Sequence, residues 1–393
     1  MRFAHLADIH LGAWSGHPDL RNYPQLAFEK AVNECISENV DFILICGDFF
    51  DTSLPPVEVI RFAAEKLREL KEKNIAVYAI PGSHDYSPTG KTMLSVLESA
   101  GLMKIVSKGE PDSGKLILKM TKDEKTGAHI TGMLGKKSGL EKSYYENIEC
   151  EMPEGFKIFM FHSAIAEYMP KHIAESVLAL SMLPKGFSYY AAGHVHTRLA
   201  DEESRVFYPG PLFPMSYDEF GGDYGFYIAD VGEKISVSWK STKLVDSAEI
   251  KIYADGETSK ALEEKILSLL EESDIRGKIV LLKAEGIING SVSDIDFKKI
   301  DEYAKENGAR MLKRNTGKLA SAGLDDIKVS GSENTKEIEE SLIKENLGKI
   351  KINNEESLLK GMMAALNDEK QEGETSSSFK ERVVKNAMEV CGI

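Results

Sequence analysis

The sequence predicts a layered α/β sandwich, and three observations lead there. Short apolar runs of buried-strand length, such as residues 42–46 and 158–161, alternate with stretches of helical spacing. Turn residues close several of these runs, as Pro81-Gly82 does. Towards residue 240 the segments become mainly strand-like, which fits sheets packed in layers with helices outside them.

Residues 2–7 read as a buried strand, and residues 23–38 as a helix with Leu26, Val32 and Ile36 near one face. A second strand covers 40–46. Residues 57–71 repeat Val59, Phe62, Ala63, Leu67 and Leu70 at helical spacing. A third strand covers 75–80, and a helix over 92–100 has Gly101 as its stop signal. Strand-like segments follow at 116–120, 129–133, 157–161, 189–192, 226–231 and 235–239.

A smaller α/β unit follows, setting residues 1–240 apart from 241–330. Strands are expected at 249–254, 278–283 and 310–314, and helices at 257–272 and 296–306. Leu262, Ile266, Leu269 and Leu270 form the inner face of the first of these helices. The tail, 331–393, changes character. Ser-, Glu- and Asn-rich segments flank two short amphipathic stretches, 337–347 and 355–366, and 371–378 has linker composition. Residues 379–390 suit one more helix.

Composition removes several function classes. The 393 residues are 42% hydrophobic and 28% charged, an ordinary globular balance. No run reaches the roughly 18 apolar residues of a membrane helix. Asp8 stands where a secretory signal would keep its apolar core, and Cys35, Cys46, Cys150 and Cys391 form no CxxC pair. Reduced thiols in a cytoplasmic protein are the expectation. Net charge is −14, and both halves are acidic, so bulk charge would not hold a nucleic acid. A polyanionic phosphate substrate would need local positive charge, and bound metal ions are the obvious source.

Five short motifs supply ligands for such ions, each near a strand end. They are Asp8-Ile9-His10, Gly47-Asp48-Phe49-Phe50-Asp51, Gly82-Ser83-His84-Asp85, His162, and Gly193-His194-Val195-His196. Residues at i and i+2 of an extended segment point the same way, so Asp8 with His10, or His194 with His196, can share one ion. The carboxyl end of a parallel strand is where α/β proteins place ligands. Imidazole and carboxylate without thiolate suit Mn²⁺ or Fe²⁺, with Zn²⁺ as a further occupant. Two such ions about 3.5–4 Å apart would clamp a phosphoryl centre. Glycines before Asp48, Ser83 and His194 would let the backbone crowd these ligands together. His17 lies close to the first motif. His5, His129 and His172 read as structural.

These motifs resemble the calcineurin-like metallophosphoesterases, and more closely the branch of DNA double-strand-break repair nucleases. The opening residues 3–12, residues 41–48, Tyr208-Pro209-Gly210-Pro211 and Gly225-Phe226-Tyr227 are similar to that branch. The resemblance is strong over residues 1–240, architectural over the next unit, and a matter of layout in the tail. It implies an α/β/β/α metallophosphoesterase sandwich, a small α/β cap domain and a helical C-terminal tail. It further implies a Mn²⁺-dependent DNA exonuclease and endonuclease holding two Mn²⁺ per chain. Asp8, His10 and His196 would hold one ion, Asp48 would bridge, and His162, His194 and Ser83 would hold the second. His84 would act on the leaving oxygen instead of binding metal. The family usually has Asn where this chain has Ser83, and some relatives carry His at the position of Asp51.

The same resemblance implies a cap that meets DNA, and Arg310, Lys313, Arg314 and Lys318 are its densest basic cluster. It implies DNA ends as substrate, a homodimer formed through residues 57–70 and 92–100, and a nucleoid-associated location. It also implies an SMC-like ABC ATPase as partner. Leu342, Ile343, Leu358, Leu359 and Met362 would form the apolar faces that meet that ATPase. A phosphodiesterase or phosphatase on small molecules, and a DNA-tethering scaffold with weak nuclease activity, are the rival readings.

Overall fold

Strands β1 (Arg2–Leu6), β2 (Phe42–Cys46) and β3 (Ala76–Ile80) are short apolar runs whose side chains alternate between two cores. Phe3, Phe42 and Leu44 face one core; Ala4, Ile43 and Ile45 face the other. The computed structural model describes residues 1–87, 92–112, 115–135, 144–150, 152–170, 177–322, 347, 355–366, 368 and 376–391. Residues Met1–Ala320 form one compact unit and Ser321–Ile393 a second.

In the first unit two six-stranded sheets lie face to face. One runs β15-β14-β1-β2-β3-β4, with β4 at Lys104–Ile105, β14 at Gly225–Val231 and β15 at Ile235–Ser241. The neighbours from β1 to β4 pair in parallel, and β14 and β15 add antiparallel. The other sheet runs β12-β13-β11-β10-β8-β7. Its strands are β7 (Thr121–Lys122), β8 (His129–Gly132), β10 (Lys157–His162), β11 (Tyr189–Gly193), β12 (Leu199–Asp201) and β13 (Val206–Tyr208). Between the sheets lie Phe3, Phe42, Tyr78, Ile158, Met160 and Tyr189. Burial at about 1.5–3 kcal/mol per large side chain makes this interface a main source of stability.

Helices Tyr23–Ser37, Val57–Glu72 and Leu94–Ser99 cover the outer face of the first sheet. The spacing places Leu26 on the inner face with Val32 and Ile36, but it is 47% exposed, and Ala27, Phe28, Ala31, Val32 and Cys35 face the sheet. Outside the second sheet, among the described residues, lie 3₁₀ turns at Ala166–Tyr168 and Leu180–Met182. A small sheet of β5 (Gly109–Asp112), β6 (Lys115–Leu118) and β9 (Ile148–Cys150) completes the chain up to residue 240.

A fourth sheet contains β16 (Ser247–Thr258), β17 (Ile279–Asn289) and β18 (Met311–Ser321), all longer than the runs read from sequence. Their extensions carry charged and polar residues on an exposed face, which hides strand length from a hydrophobic pattern. Ile250, Ile252 and Ala254 face helices Ser259–Glu272 and Phe297–Glu306 through Leu262, Ile266, Ile300 and Ala304. Thr258 caps the first of these helices by accepting from the Ala261 N–H. Ile279, Leu281 and Met311 join the core beneath the first sheet's helices, so this unit is packed onto the body and not strung from it.

In the second unit, helix Glu355–Leu366 packs against helix Ser376–Cys391. Gly361 allows the approach, since a Cβ there would stand 2.7 Å from a Val390 methyl. Arg382 pairs with Asp368. Residues 337–346, with Leu342 and Ile343, lie outside the described residues. Leu358, Leu359 and Met362 are half-buried in this hairpin. No helix among the described residues is long and apolar enough to cross a membrane.

Candidate metal centre

All five motifs arrive at one end of the paired sheets, at the carboxyl ends of β1, β2, β3, β10 and β11. The first two loops are bonded along their length. Asp8 N–H donates to the Gly47 carbonyl at 3.2 Å, His10 N–H to Asp48 at 2.9 Å and Leu11 N–H to Phe49 at 2.9 Å. The second sheet closes on them at Gly193, where a Cβ would lie 1.9 Å from the Cys46 carbonyl oxygen. Gly193 is required for space; Gly47, at φ +84°, is required for conformation as well. Asp8, His10, Asp48 and His194 all carry positive φ, a strained backbone of the kind that collects at functional sites.

Among the described residues three groups of potential ligand atoms result, each with its atoms within 4.8 Å of one another: Asp8, His10 and His196; Asp8, Asp48 and His162; and His10, Asp51 and His84. Ring orientation is set from behind. His162 Nδ1–H donates to the Cys46 carbonyl at 2.8 Å, leaving Nε2 3.1 Å from Asp48 Oδ2. His196 Nδ1 meets Glu219 Oε1 at 3.0 Å, leaving Nε2 3.7 Å from Asp8 Oδ1. His10 Nδ1 lies 3.4 Å from Asp51 Oδ1, and its Nε2 lies 3.7 Å from Asp48 Oδ2. For His162 and His196, Nε2 is the atom turned inward, as when an outer acceptor fixes the tautomer of a metal-binding histidine.

The donor set fits divalent cations. Both ring nitrogens of His10 and the Nε2 of His162 are buried without a hydrogen-bond partner, and Asp8 and Asp48 are buried beside them. Orphaned imidazole nitrogens around buried carboxylates are costly unless a cation joins them. The charge balance agrees. Burial works against a charged His162, yet Asp48, Asp8 and the Cys46 carbonyl raise it to about 10. Burial likewise opposes a charged Asp48, but His162, His10 and the His84 N–H pull it below the carboxylate range. The pocket therefore attracts positive charge.

The remaining site residues are placed as follows. Ser83 Oγ–H reaches Asp48 Oδ2 at 3.4 Å, and the His84 N–H donates to Asp48 Oδ1 at 2.7 Å. His84 Nδ1–H donates to the Asp51 carbonyl at 2.8 Å. His194 offers its backbone N–H to both Asp8 oxygens at 3.0 Å, and its ring lies 5.1 Å from that of His162. His5 is buried outside the pocket. Its Nε2–H bonds the Ala192 carbonyl, the Tyr189 hydroxyl donates to its Nδ1, and burial pushes it down to about 3. His172 lies outside the described residues.

Two roles escaped the sequence reading, that of Asp85, which closes the third motif, and that of Glu219. Asp85 is buried and accepts from the N–H groups of Gly82, Phe50 and Phe49 at 2.9, 3.0 and 3.2 Å, tying the His84 loop to the Asp48 loop. Burial, then the Asp48 charge, push its carboxyl up to about 6. Its place next to His84 was the available signal. Glu219 stands 23 residues from His196 at the end of the 3₁₀ turn Tyr217–Glu219, and no periodicity marks it.

The basic cluster does not form one surface. Lys313 Nζ lies 3.3 Å from His17 Nε2 and 5.5 Å from the Trp14 ring, and Arg310 reaches the Tyr23 hydroxyl at 3.3 Å. Arg314 turns to the other face of β18, over Phe297 at 4.5 Å, and Lys318 lies 3.7 Å from Glu285. Alternation along a strand separates 313 from 314.

The model of one protein family, the calcineurin-like phosphoesterases, matches residues 1–198. The DNA double-strand break repair protein Mre11 of Methanococcus maripaludis is 30% identical over 286 residues, covering 67% of this chain and 73% of that protein. The chain belongs to the calcineurin-like phosphoesterase family, in its Mre11 branch. The Mre11 of Archaeoglobus fulgidus is 25% identical and covers 79% of this chain and 75% of its own length. For that of Methanopyrus kandleri the identity is 28%, over 64% of this chain and 59% of the relative. The phosphoesterase match ends just beyond His196, so it spans all five motifs of the metal centre.

Proposed function

We propose that this Mre11-branch phosphoesterase is a Mn²⁺-dependent nuclease that cleaves DNA phosphodiester bonds as both exonuclease and endonuclease. The observation that carries the reading is the convergence of inward-facing, unpartnered imidazole nitrogens on two buried carboxylates. Asp8, His10 and His196 would hold one ion and His162, His194 and Ser83 the other, with Asp48 between them. Ions held there supply positive charge against phosphoryl oxygens and a nucleophile at neutral pH. His84, held through Nδ1 by Asp51, has its Nε2 available; as imidazolium it donates a proton to the leaving oxygen. Asp85 keeps that imidazole in register with Asp48 by bonding both loops.

The test is cleavage of linear duplex DNA and of bis-p-nitrophenyl phosphate with Mn²⁺ titrated from zero. Hydrolysis of the small ester without any cleavage of DNA would overturn the nuclease reading.

Replacing Ser83 by Asn is expected to tighten the second ion and lower the Mn²⁺ concentration for half-maximal activity. Ser83 Oγ lies 3.4 Å from Asp48 Oδ2 through a short hydroxyl, whereas an amide oxygen reaches further. An unchanged or higher Mn²⁺ requirement would contradict this.

We further propose a homodimer and an SMC-like ATPase partner. Leu54 (77% exposed), Val57 (75%) and Val96 (54%) support the dimer, while Leu97 belongs to the core. Deleting residues 332–393 is expected to abolish association with the ATPase and leave activity on small or single-stranded substrates. Leu342→Glu with Leu359→Glu should do the same without lowering the melting temperature of the main body. Full-yield co-purification of the truncated chain with the ATPase would sink the assignment.

A further inference from the structure

We infer that Glu219 is the positioning carboxylate of His196, holding its ring so that Nε2 faces the Asp8 side of the metal pocket. The inference rests on the metal-centre reading above and adds a residue outside the five motifs. The geometry is specific. Glu219 Oε1 lies 3.0 Å from His196 Nδ1, and the Ser216 hydroxyl donates to the same oxygen at 3.2 Å. Oε2 accepts the Met215 N–H at 2.7 Å, so both carboxylate oxygens are fixed.

The loop that carries Glu219 is itself braced against the first motif. Trp14, four residues beyond His10, donates Nε1–H to the Pro214 carbonyl at 2.7 Å, and its ring lies 6.0 Å from that of Phe220. His10 and His196, with ring centroids 5.3 Å apart, belong to one ligand group with Asp8. One loop thus orients one of the two histidines and is tied to the segment bearing the other. His162, by contrast, is oriented by a backbone carbonyl. Glu219 is therefore a side-chain partner of a ligand histidine that point substitution can remove. A carboxylate behind a ligand histidine fixes its tautomer and raises its basicity, and loss of such a partner weakens metal binding by about 10–100-fold.

The test is calorimetric titration of Mn²⁺ alone into the metal-free full-length chain, for wild type, Glu219→Gln and Glu219→Ala, with melting curves of the metal-free proteins alongside. Glu219→Ala should lose about 10–100-fold in affinity for one ion and keep the other. Glu219→Gln, whose amide oxygen can still accept from Nδ1–H while its NH2 faces the Met215 N–H, should lose less, and its metal-free melting temperature should fall no further than that of Glu219→Ala. Wild-type affinity in Glu219→Ala would overturn the inference alone. Equal losses in both variants with a matching fall in melting temperature would also overturn it, by making Glu219 merely structural. If Glu219→Ala does not fold, Glu219→Gln decides by itself: weaker binding supports the role and wild-type affinity overturns it. Wild-type protein that binds no Mn²⁺ would sink the metal-centre reading and the inference with it.

Discussion

Replacing His84 with alanine is expected to lower phosphodiester cleavage by about two to four orders of magnitude while both Mn²⁺ ions still bind. His84 Nδ1–H is committed to the Asp51 carbonyl, so only Nε2 can act. The groups built on Asp8 reach their ligand count without it. His84 does lie in a third group with His10 and Asp51, and this makes the experiment decisive. Calorimetry that shows the variant short of one ion would make His84 a ligand and remove its role as proton donor. Intact binding with lost turnover on both DNA and the small ester would establish that role.

The second large effect is expected at Gly193. Alanine there would set a methyl group 1.9 Å from the Cys46 carbonyl oxygen and 2.8 Å from His162 Nδ1. That carbonyl accepts the His162 Nδ1–H, so β11 must move away from β2 and the imidazole must turn. Overpacking of this kind costs roughly 1–3 kcal/mol, and here it also misdirects a ligand. Denaturant midpoint and Mn²⁺ affinity should fall together. Gly16, with nothing within 4 Å of its added Cβ, is the control, and Gly16→Ala should behave as wild type. A wild-type midpoint for Gly193→Ala would show that the sheets give way more easily than this contact implies.

Much of the fold and of the site was legible because strands β1, β2 and β3 are buried on both faces. Such strands read as unbroken apolar runs, and Gly47-Asp48 after β2 and Gly82-Ser83-His84 after β3 mark where the chain turns. Leu26 misled because helix Tyr23–Ser37 buries small residues, Ala27 and Ala31, as well as large ones. Strands β12 and β13, three residues each, are too short to show a period. Asp85 and Glu219 were hidden for a different reason. Their work is to hold other residues, and those partners meet them only in three dimensions. The tail shows the same limit. An apolar stripe tells that a helix needs cover, and the cover that helix Glu355–Leu366 finds is Ser376–Cys391.

The left-handed backbone at Asp8, His10, Asp48 and His194 restricts the alphabet from which this centre can be written. Among residues other than glycine, Asp, Asn and His tolerate that conformation best, and all four positions draw on that set. Chemistry alone would let glutamate stand in for aspartate as an oxygen donor. The main chain adds a second veto, because a longer side chain must both overshoot the ion and sit on a backbone it disfavours. Redesign toward another metal therefore has a narrow path here: exchanges among Asp, Asn and His keep the scaffold, and any other donor demands that the loops themselves be rebuilt.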